Sequence, residues 1–370
     1  PVGGAMRGYG IPQVCFAIES FMDDVANEIH MDPLEFRRKN LIQGYYEDAY
    51  LKPIAANTNG IFECLEKGAE YIHWDEKRKE YAEQAGDVRK GVGMALFSYK
   101  TGVWPISLEI AGARLSLNQD GSVQLMLGAT EIGQGADTVF SQMVAETLQT
   151  DMEHVHIMST QDTDISPFDT VAYASRQSFV TGTAVRHCAE ILRDKILAYA
   201  KTLLPEIDTR ELTLKDNWIW AGDEQAISLA ALAEESYYSL TNSSVLTAEV
   251  SEQVKKNTIA TGCCFAEVEV DIKLGKIKIL HIINVHDSGK LLNPQLAEMQ
   301  VHGGMSMGMG YGISEQLILD EKTGRPLNGN LLDYKLMTML DTPDIKADFV
   351  ELCDPMGPYG NKALGEPPAI

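Results

Sequence analysis

The sequence predicts an α+β protein in which antiparallel hairpins and sheets pack with long helices. Three observations predict it. Two stretches alternate in the β manner on either side of a tight turn: "ISLEIAGARLSL" returns through "NQDG" to "SVQLMLG", and "CCFAEVEVDIKLGKIKILHIINVHD" folds back on itself. Other stretches space apolar residues as helices do, from Phe16, Phe21, Val25 and Ile29 to the long run "AVRHCAEILRDKILAYAKTLL". The 370 residues are 45% hydrophobic and 23% charged, enough apolar side chain for a globular core.

Taken in order, a Gly-rich opening loop leads into "QVCFAIESFMDDVANEIH", a helix that stops near Met31. "DPLEFRRKNLI" is a second helix, with Asp32 as N-cap, Pro33 at the first helical position and Glu35 as capping-box partner. "WDEKRKEYAEQAGDVRK" reads as a charged, solvated helical connector ending near Gly91. The first hairpin follows, then "ATEIGQGADT", a helix "VFSQMVAETLQ" and a strand "HVHIMST". After the long helix and the second hairpin, "QVHGGMSMGMGYGISEQL" is an apolar, Gly-rich helix that must pack tightly against something.

The formal net charge of −22 argues against nucleic acid and against anionic membrane surfaces as partners. The six cysteines show no C-x-x-C spacing and fit neither an iron–sulfur cluster nor a zinc ribbon. Buried free thiols in a reduced cytoplasmic protein are expected. No apolar run reaches membrane-spanning length, and no signal peptide is evident. The opening "PVGGAMRGYG" has no initiator Met and reads as the middle of a fold, so a fragment or one piece of a split or processed chain is expected.

The closing "NKALGEPPAI" holds Glu366 between a glycine and two prolines. Gly365 allows close backbone approach, and Pro367 is expected to push Glu366 out of the helical region. Such a carboxylate is either an accident of a tail or a group that must be aimed. Buried without a cationic partner it would have a raised pKa and trade protons near neutrality; Lys362 is the nearest partner in sequence.

In "ATEIGQGADT", Gly133 and Gly135 stand between strand and helix, with Asp162 and Asp164 past the next strand, as in a dinucleotide-binding unit. That reading fails because Thr138 replaces the third glycine and the preceding strand belongs to an antiparallel hairpin. What survives is a set of backbone N–H groups offered to an anion, with the Gln134 amide between the glycines; a tight turn and helix cap explains the same residues. Ala174, Ser175, Arg176 and Gln177 form either a second polar nest for a phosphate or oxo group, or an ordinary N-cap. Arg7 offers a fork to an oxyanion and Tyr9 a face for a flat substrate, the alternative being a surface loop. Trp104, beside Pro105 at a strand start, is by default a core residue. His286 and Asp287 are neighbours in a strand and point to opposite faces, so a turn role for Asp287, Ser288 and Gly289 is preferred to an acid–base pair. Gln300 lies in the apolar Gly-rich helix, where it needs hydrogen-bond partners.

Seven motifs, in order, are "AMRGYGIPQ", "DPLEFRRKN", "TEIGQGADT", "ASRQSFVTG", "AEVEVD", "LNPQLAEMQVHGG" and "GNKALGEPP". Together they run from Arg7 to Pro368 and resemble the xanthine dehydrogenase / aldehyde oxidoreductase family of molybdenum hydroxylases, in the C-terminal part of the molybdopterin-binding subunit. The resemblance implies a molybdopterin-binding domain of the xanthine dehydrogenase type. Residues 1–90 would be the helical remainder of a first molybdopterin-binding subdomain and 91–370 a second. It implies that Glu366 is the catalytic base and that Arg7 lies at the cofactor, in the backbone vicinity of molybdenum, with no direct protein ligand to the metal. Tyr9 would stack on the substrate, and Trp104 would stand near the substrate wall. Gly133 and Gln134 would bind the pyranopterin, Ala174, Ser175, Arg176 and Gln177 would wrap its phosphate, and Gln300 would lie near the dithiolene or an oxo ligand. The protein orients such a cofactor, and the cofactor does the redox work.

Carbon monoxide dehydrogenases of this superfamily carry a cysteine in the loop near Arg7, where this chain has Gly4, Ala5 and Met6; that favours a hydroxylase. The family's upstream cofactor loop and substrate-anchoring positions have no counterpart here, nor do iron–sulfur or flavin modules. The chain alone is therefore not expected to form a complete active site. The expected function is part of the catalytic molybdenum subunit of a hydroxylase that oxidises a purine-like N-heterocycle with water-derived oxygen. Aldehyde oxidation is the near alternative, and an isolated structural half-domain without cofactor is the alternative of another class. The cofactors implied are molybdenum-molybdopterin, in mononucleotide or cytosine dinucleotide form, with FAD and a 2Fe–2S cluster on partner subunits or domains. The partners implied are the N-terminal half of the molybdenum subunit and the Fe–S and FAD subunits, in a homo- or hetero-oligomer.

Overall fold

The computed structural model describes residues 4–42, 46–47, 53–54, 58–158 and 162–370. The first elements are α1 (Ile11–Glu28), α2 (Pro33–Asn40), β1 (Tyr46–Glu47), β2 (Pro53–Ile54), α3 (Ile61–Ile72), α4 (Trp74–Glu80) and β3 (Val88–Lys100). Then come β4 (Ile110–Leu117), β5 (Val123–Leu127), α5 (Ala136–Leu148), β6 (Val155–Met158) and α6 (Gln177–Leu203). They are followed by β7 (Leu212–Lys215), β8 (Trp218–Ala221), β9 (Glu224–Ser228), α7 (Leu229–Tyr238) and β10 (Thr247–Gln253). The chain ends with β11 (Ile259–Asp271), β12 (Lys276–Asp287), α8 (Pro294–Ile313) and β13 (Asp344–Phe349). Two compact units result, one of Pro1–Thr101 with Thr258–Ile370, the other of Gly102–Asn257. The first unit's opening segment extends through Thr101 because β3 pairs with β11 along its whole length, from Val88 to Lys100.

In the first unit a four-stranded sheet runs β13-β12-β11-β3. β11 is antiparallel to both neighbours, and β12 pairs in parallel with β13. Side-chain alternation along β12 sends Ile283 and Val285 to one face, where Leu65 and Ile72 of α3 and Trp74 join the core. Ile282 goes to the other face, against Val301, Met305 and Met309 of α8. The sequence reading carried the charged helix through to Gly91, but α4 stops at Glu80 and a strand begins at Val88. The charged residues at the start of that strand are exposed or half-buried, and Val92 and Met94 supply the period of two that buries it.

Asp32 caps α2 as expected, accepting from Leu34 N at 2.9 Å and Glu35 N at 3.3 Å. Helix α8 starts on Asn293, whose side chain accepts from Leu296 N at 3.0 Å, with Pro294 in the first turn. What this Gly-rich helix packs against is the chain's closing turn. A Cβ at Gly304 would sit 2.3 Å from Pro368 Cβ, so only glycine lets the Pro367–Ala369 turn lie on α8.

In the second unit the sheet order is β10-β4-β5-β6, and α6 packs on β4, on β10 and beside α5. The expected hairpin is β4–β5, though β4 begins only at Ile110. β5 also pairs in parallel with β6 across α5, so the parallel neighbour that the sequence reading denied to this strand is present. The tail of the expected strand at 159–160 lies outside the described residues. A separate three-stranded sheet, β7-β8-β9, was not foreseen.

Candidate active site

The closing loop of the first unit is pinned before it reaches Glu366. Lys362 is buried and donates to Asp287 Oδ2 at 2.8 Å and to the Thr58 carbonyl. Asp287 also accepts from Gly60 N at 2.8 Å and Gly289 N at 3.0 Å, which gives it the turn role expected of it. Ala363 N donates to Thr101 Oγ1 at 3.0 Å. Lys362 is thus engaged with Asp287, and the cation whose charge acts with Glu366 is Arg7.

Glu366 is half-buried. Oε1 accepts from Gly8 N at 3.3 Å, and Oε2 accepts from the Tyr99 hydroxyl in a short hydrogen bond. Its backbone is at φ −108°, ψ −36°, in the helical region that Pro367 was expected to exclude. The turn accounts for this: Ala369 N donates to Glu366 O at 3.0 Å, closing a 3₁₀ turn over the two prolines. Arg7 braces the same stretch, with Nε 2.6 Å from Gly365 O and Nη2 2.8 Å from Gln300 O and 3.3 Å from Gln300 Oε1. Burial holds the Arg7 guanidinium below its usual value, while the charge of Glu366 acts in the opposite direction. Burial, then the hydrogen bond with Glu366, push the Tyr99 phenol well above the ordinary tyrosine range. Arg7, Gln300 and Glu366 are therefore brought together. Tyr9 neighbours them in the loop but is 72% exposed, with φ 33°.

The second unit holds the other expected residues. Glu131 fills the cradle that the sequence reading offered to an external anion. Its Oε1 accepts from Gly133 N at 2.7 Å and Gly135 N at 3.2 Å, and its Oε2 accepts from Asp137 N at 3.0 Å. Burial is the largest single influence on this carboxyl and pushes its pKa up, but the backbone N–H groups together hold it below the usual range. Gln134 braces the loop: Nε2 donates to Thr130 O at 2.7 Å and to Gln177 Oε1 at 2.9 Å, and Oε1 accepts from Ile132 N at 2.7 Å. Ala174 and Ser175 are both left-handed, at φ 46° and 51°, and Arg176 returns to the right-handed region just before α6. These residues turn the chain into the N-terminus of α6, and Arg176 N donates to Tyr173 O at 3.0 Å. The Arg176 side chain faces away from the phosphate role its motif suggested. It is fully buried, with Glu109 and Asp169 each at 2.5 Å, Val171 O at 3.1 Å and Ile110 O at 2.8 Å. Trp104 is half-buried in a turn before β4.

Sequence reasoning missed Tyr99 and Glu131. Tyr99 sits in β3, the strand the charged connector concealed. Glu131 had a signal: an acid two residues before the first glycine of a helix-opening turn can cap that helix itself. Among the described residues no group of three or more His, Cys, Asp or Glu could hold a metal ion. The N-terminus of α6 and the left-handed turn of Ala174 and Ser175 that precedes it fit a phosphate-bearing cofactor.

One α+β unit carries a braced carboxylate, and the other carries two polar loops at helix N-termini. A family model described as a molybdopterin cofactor-binding domain matches residues 67–343, and a second with the same description matches residues 1–41. The chain belongs to the molybdopterin-binding domains of the xanthine dehydrogenase / aldehyde oxidoreductase family of molybdenum hydroxylases. It is 47% identical over 375 residues to the putative xanthine dehydrogenase molybdenum-binding subunit XdhA of Escherichia coli (strain K12), covering 100% of this chain and 49% of that protein. It is 31% identical over 377 residues to the probable hypoxanthine oxidase XdhD of the same strain, covering 98% and 38%. The structure of quinoline 2-oxidoreductase from Pseudomonas putida 86 shares the fold, with a TM-score of 0.90 at 23% identity over 99% of this chain and 48% of that one. The chain spans about half the length of these curated xanthine dehydrogenase relatives.

Proposed function

We propose that this chain is part of the catalytic molybdenum subunit of a hydroxylase that oxidises a purine-like N-heterocycle with water-derived oxygen. The observation that carries the proposal is the seating of Glu366, a carboxylate fixed at both oxygens by Gly8 N–H and Tyr99 O–H beside the charge of Arg7. A carboxylate held in this way takes up a proton at a defined atom, which is the work of a general base. When bound, the molybdenum cofactor supplies the two-electron redox chemistry. Arg7, Gly133, Gln134, Ala174, Ser175, Arg176, Gln177 and Gln300 are assigned to holding the cofactor, Arg176 by supporting its loop from beneath. Tyr9 and Trp104 are assigned to the substrate.

The chain divides, on this reading, into the remainder of a first molybdopterin-binding subdomain, residues 1–90, and a second, 91–370; separate family models matching 1–41 and 67–343 support two such parts without fixing the boundary. Similarity to a putative xanthine dehydrogenase subunit and a probable hypoxanthine oxidase supports a purine-like substrate over an aldehyde. The name of the first relative, a molybdenum-binding subunit of which this chain covers 49%, supports an assembly with the rest of that subunit and with other subunits, to which we assign the Fe–S and FAD groups. All six cysteines are free thiols, which supports a cytoplasmic setting. Among the described residues no helix is long and apolar enough to cross a membrane.

The test uses the full complex. Its molybdenum is measured by mass spectrometry, and turnover of Glu366→Gln is compared with wild type on purines and on aldehydes. Turnover should fall by about 10²–10⁴-fold with molybdenum retained, because a base has been lost and not a ligand. Near-normal turnover in the variant would overturn the base assignment. A complex without molybdenum would favour the structural half-domain, and faster aldehyde oxidation would move the substrate class.

A further inference from the structure

Tyr99 lies near the end of β3, and only 7% of its surface is exposed. Its ring is seated among Ala260, Ala363 and Ile370. Ala363 belongs to the same closing loop as Glu366, so the ring packs on the segment whose carboxylate its hydroxyl reaches. An apolar seat leaves a tyrosine ring little freedom, and a buried phenol requires a partner. Here the partner is Glu366 Oε2. The other oxygen is held by Gly8 N–H, from a loop 358 positions away in sequence. Two donors from two different segments, one on each oxygen, fix both the plane and the direction of the carboxylate.

We propose that Tyr99 is the positioning residue for Glu366, setting the direction in which its carboxylate is presented. The proposal rests on the reading of Glu366 as the base for its consequence in turnover, but not for the clamp itself. Removing the phenol's hydrogen bond frees the Glu366 side chain to rotate about its contact with Gly8 N–H.

The experiment is Tyr99→Phe in the full complex, which keeps the ring and its packing and removes only the hydroxyl. The expected result is a fall in kcat of about ten- to a hundred-fold with KM changed by no more than about threefold. That split, kcat lowered with KM kept, is one that a purely structural role for Tyr99 would not produce. A crystal structure of the variant should show Glu366 turned or in more than one conformer, with Arg7 still bonded to Gly365. A variant with wild-type kcat, or with Glu366 unmoved and singly ordered, overturns the proposal. If Glu366→Gln keeps its turnover, the base reading falls, and the clamp then stands or falls on the crystal structure alone.

Discussion

Arg7 Nε donates to the Gly365 carbonyl at 2.6 Å, tying the loop before α1 to the residue that precedes Glu366. The same guanidinium reaches α8 through Nη2, 2.8 Å from Gln300 O. One planar fork thus joins three segments far apart in sequence. A lysine keeps the charge but presents a compact ammonium that cannot span both carbonyls. Arg7→Lys should therefore lose about 1–2 kcal/mol of unfolding free energy, a value discounted for partial exposure, by urea titration. Turnover should fall further than stability, since the carbonyl set free adjoins Glu366. Equal, small losses in both would show that the fork only fastens the fold.

Gly304 and Gly308 offer a matched pair on α8. A Cβ at Gly304 would stand 2.3 Å from Pro368 Cβ and 2.5 Å from its carbonyl carbon, atoms of a rigid ring and backbone that cannot swing away. At Gly308 the nearest atom is Ala369 O at 3.7 Å, an ordinary contact. Gly→Ala within a helix gains about 1 kcal/mol, whereas overpacking costs about 1–3 kcal/mol. Gly308→Ala should be neutral or slightly stabilising and keep its activity. Gly304→Ala should be destabilised by about 1–2 kcal/mol and lose turnover, because the displaced turn carries Glu366 with it. Identical behaviour of the two variants would refute the packing argument.

Arg176 makes a different prediction from the one its motif suggested. Its guanidinium lies between Glu109 and Asp169, with all three side chains buried. Glu109 also accepts from Val103 N at 2.6 Å and Asp169 from Thr181 Oγ1 at 2.6 Å, so the carboxylates are held in place whether or not the cation is present. Arg176→Met should therefore cost about 3–5 kcal/mol, by leaving two buried charges uncompensated. Replacing Arg176, Glu109 and Asp169 together with apolar residues of similar volume should recover most of that loss. Calorimetric unfolding of the three proteins decides it, and a tolerant Arg176→Met would mean the cluster is hydrated.

How much was legible depended on whether a signal was local. The two hairpins, the Asp32 cap and the α8 start could be read because the turn and cap chemistry lies within a few residues of each. The strand β3 could not, because its early charged residues continue the pattern of α4 and its burial comes from pairing with β11, more than 150 positions later. At the site, the stiffness of Glu366 was visible in Gly-Glu-Pro-Pro, but its partners were not. Gly8 and Tyr99 meet it only through long-range packing. The same blindness favoured Lys362 over Arg7 as its cation, since proximity in sequence counted for more than proximity in space. Arg176 shows the converse error, an arginine at a helix N-terminus whose charge is taken up from beneath.

His286 carries the last prediction. It is fully buried, its ring centroid lies 5.0 Å from that of Phe97, and neither ring nitrogen has a hydrogen-bond partner among the described residues. Burial first, and the nearby charge of Arg7 second, push its pKa down to about 3 from an ordinary value of 6.5. The folded protein thus keeps His286 neutral in a range where the unfolded chain takes up a proton. Stability is complete above the unfolded value and declines as pH falls from 6.5 toward about 3. The slope approaches about 1.4 kcal/mol per pH unit, so about 2 kcal/mol is lost by pH 5 from this residue alone. His286→Met removes the titrating group while keeping an apolar side chain against the Phe97 ring. Urea unfolding of both proteins at pH 7.5 and at pH 5 isolates the effect, since the carboxylates titrate alike in each. The variant should gain about 2 kcal/mol on wild type between the two conditions. The same pH dependence in both would mean that His286 takes up its proton inside the fold, and that water reaches the seat beneath Arg7.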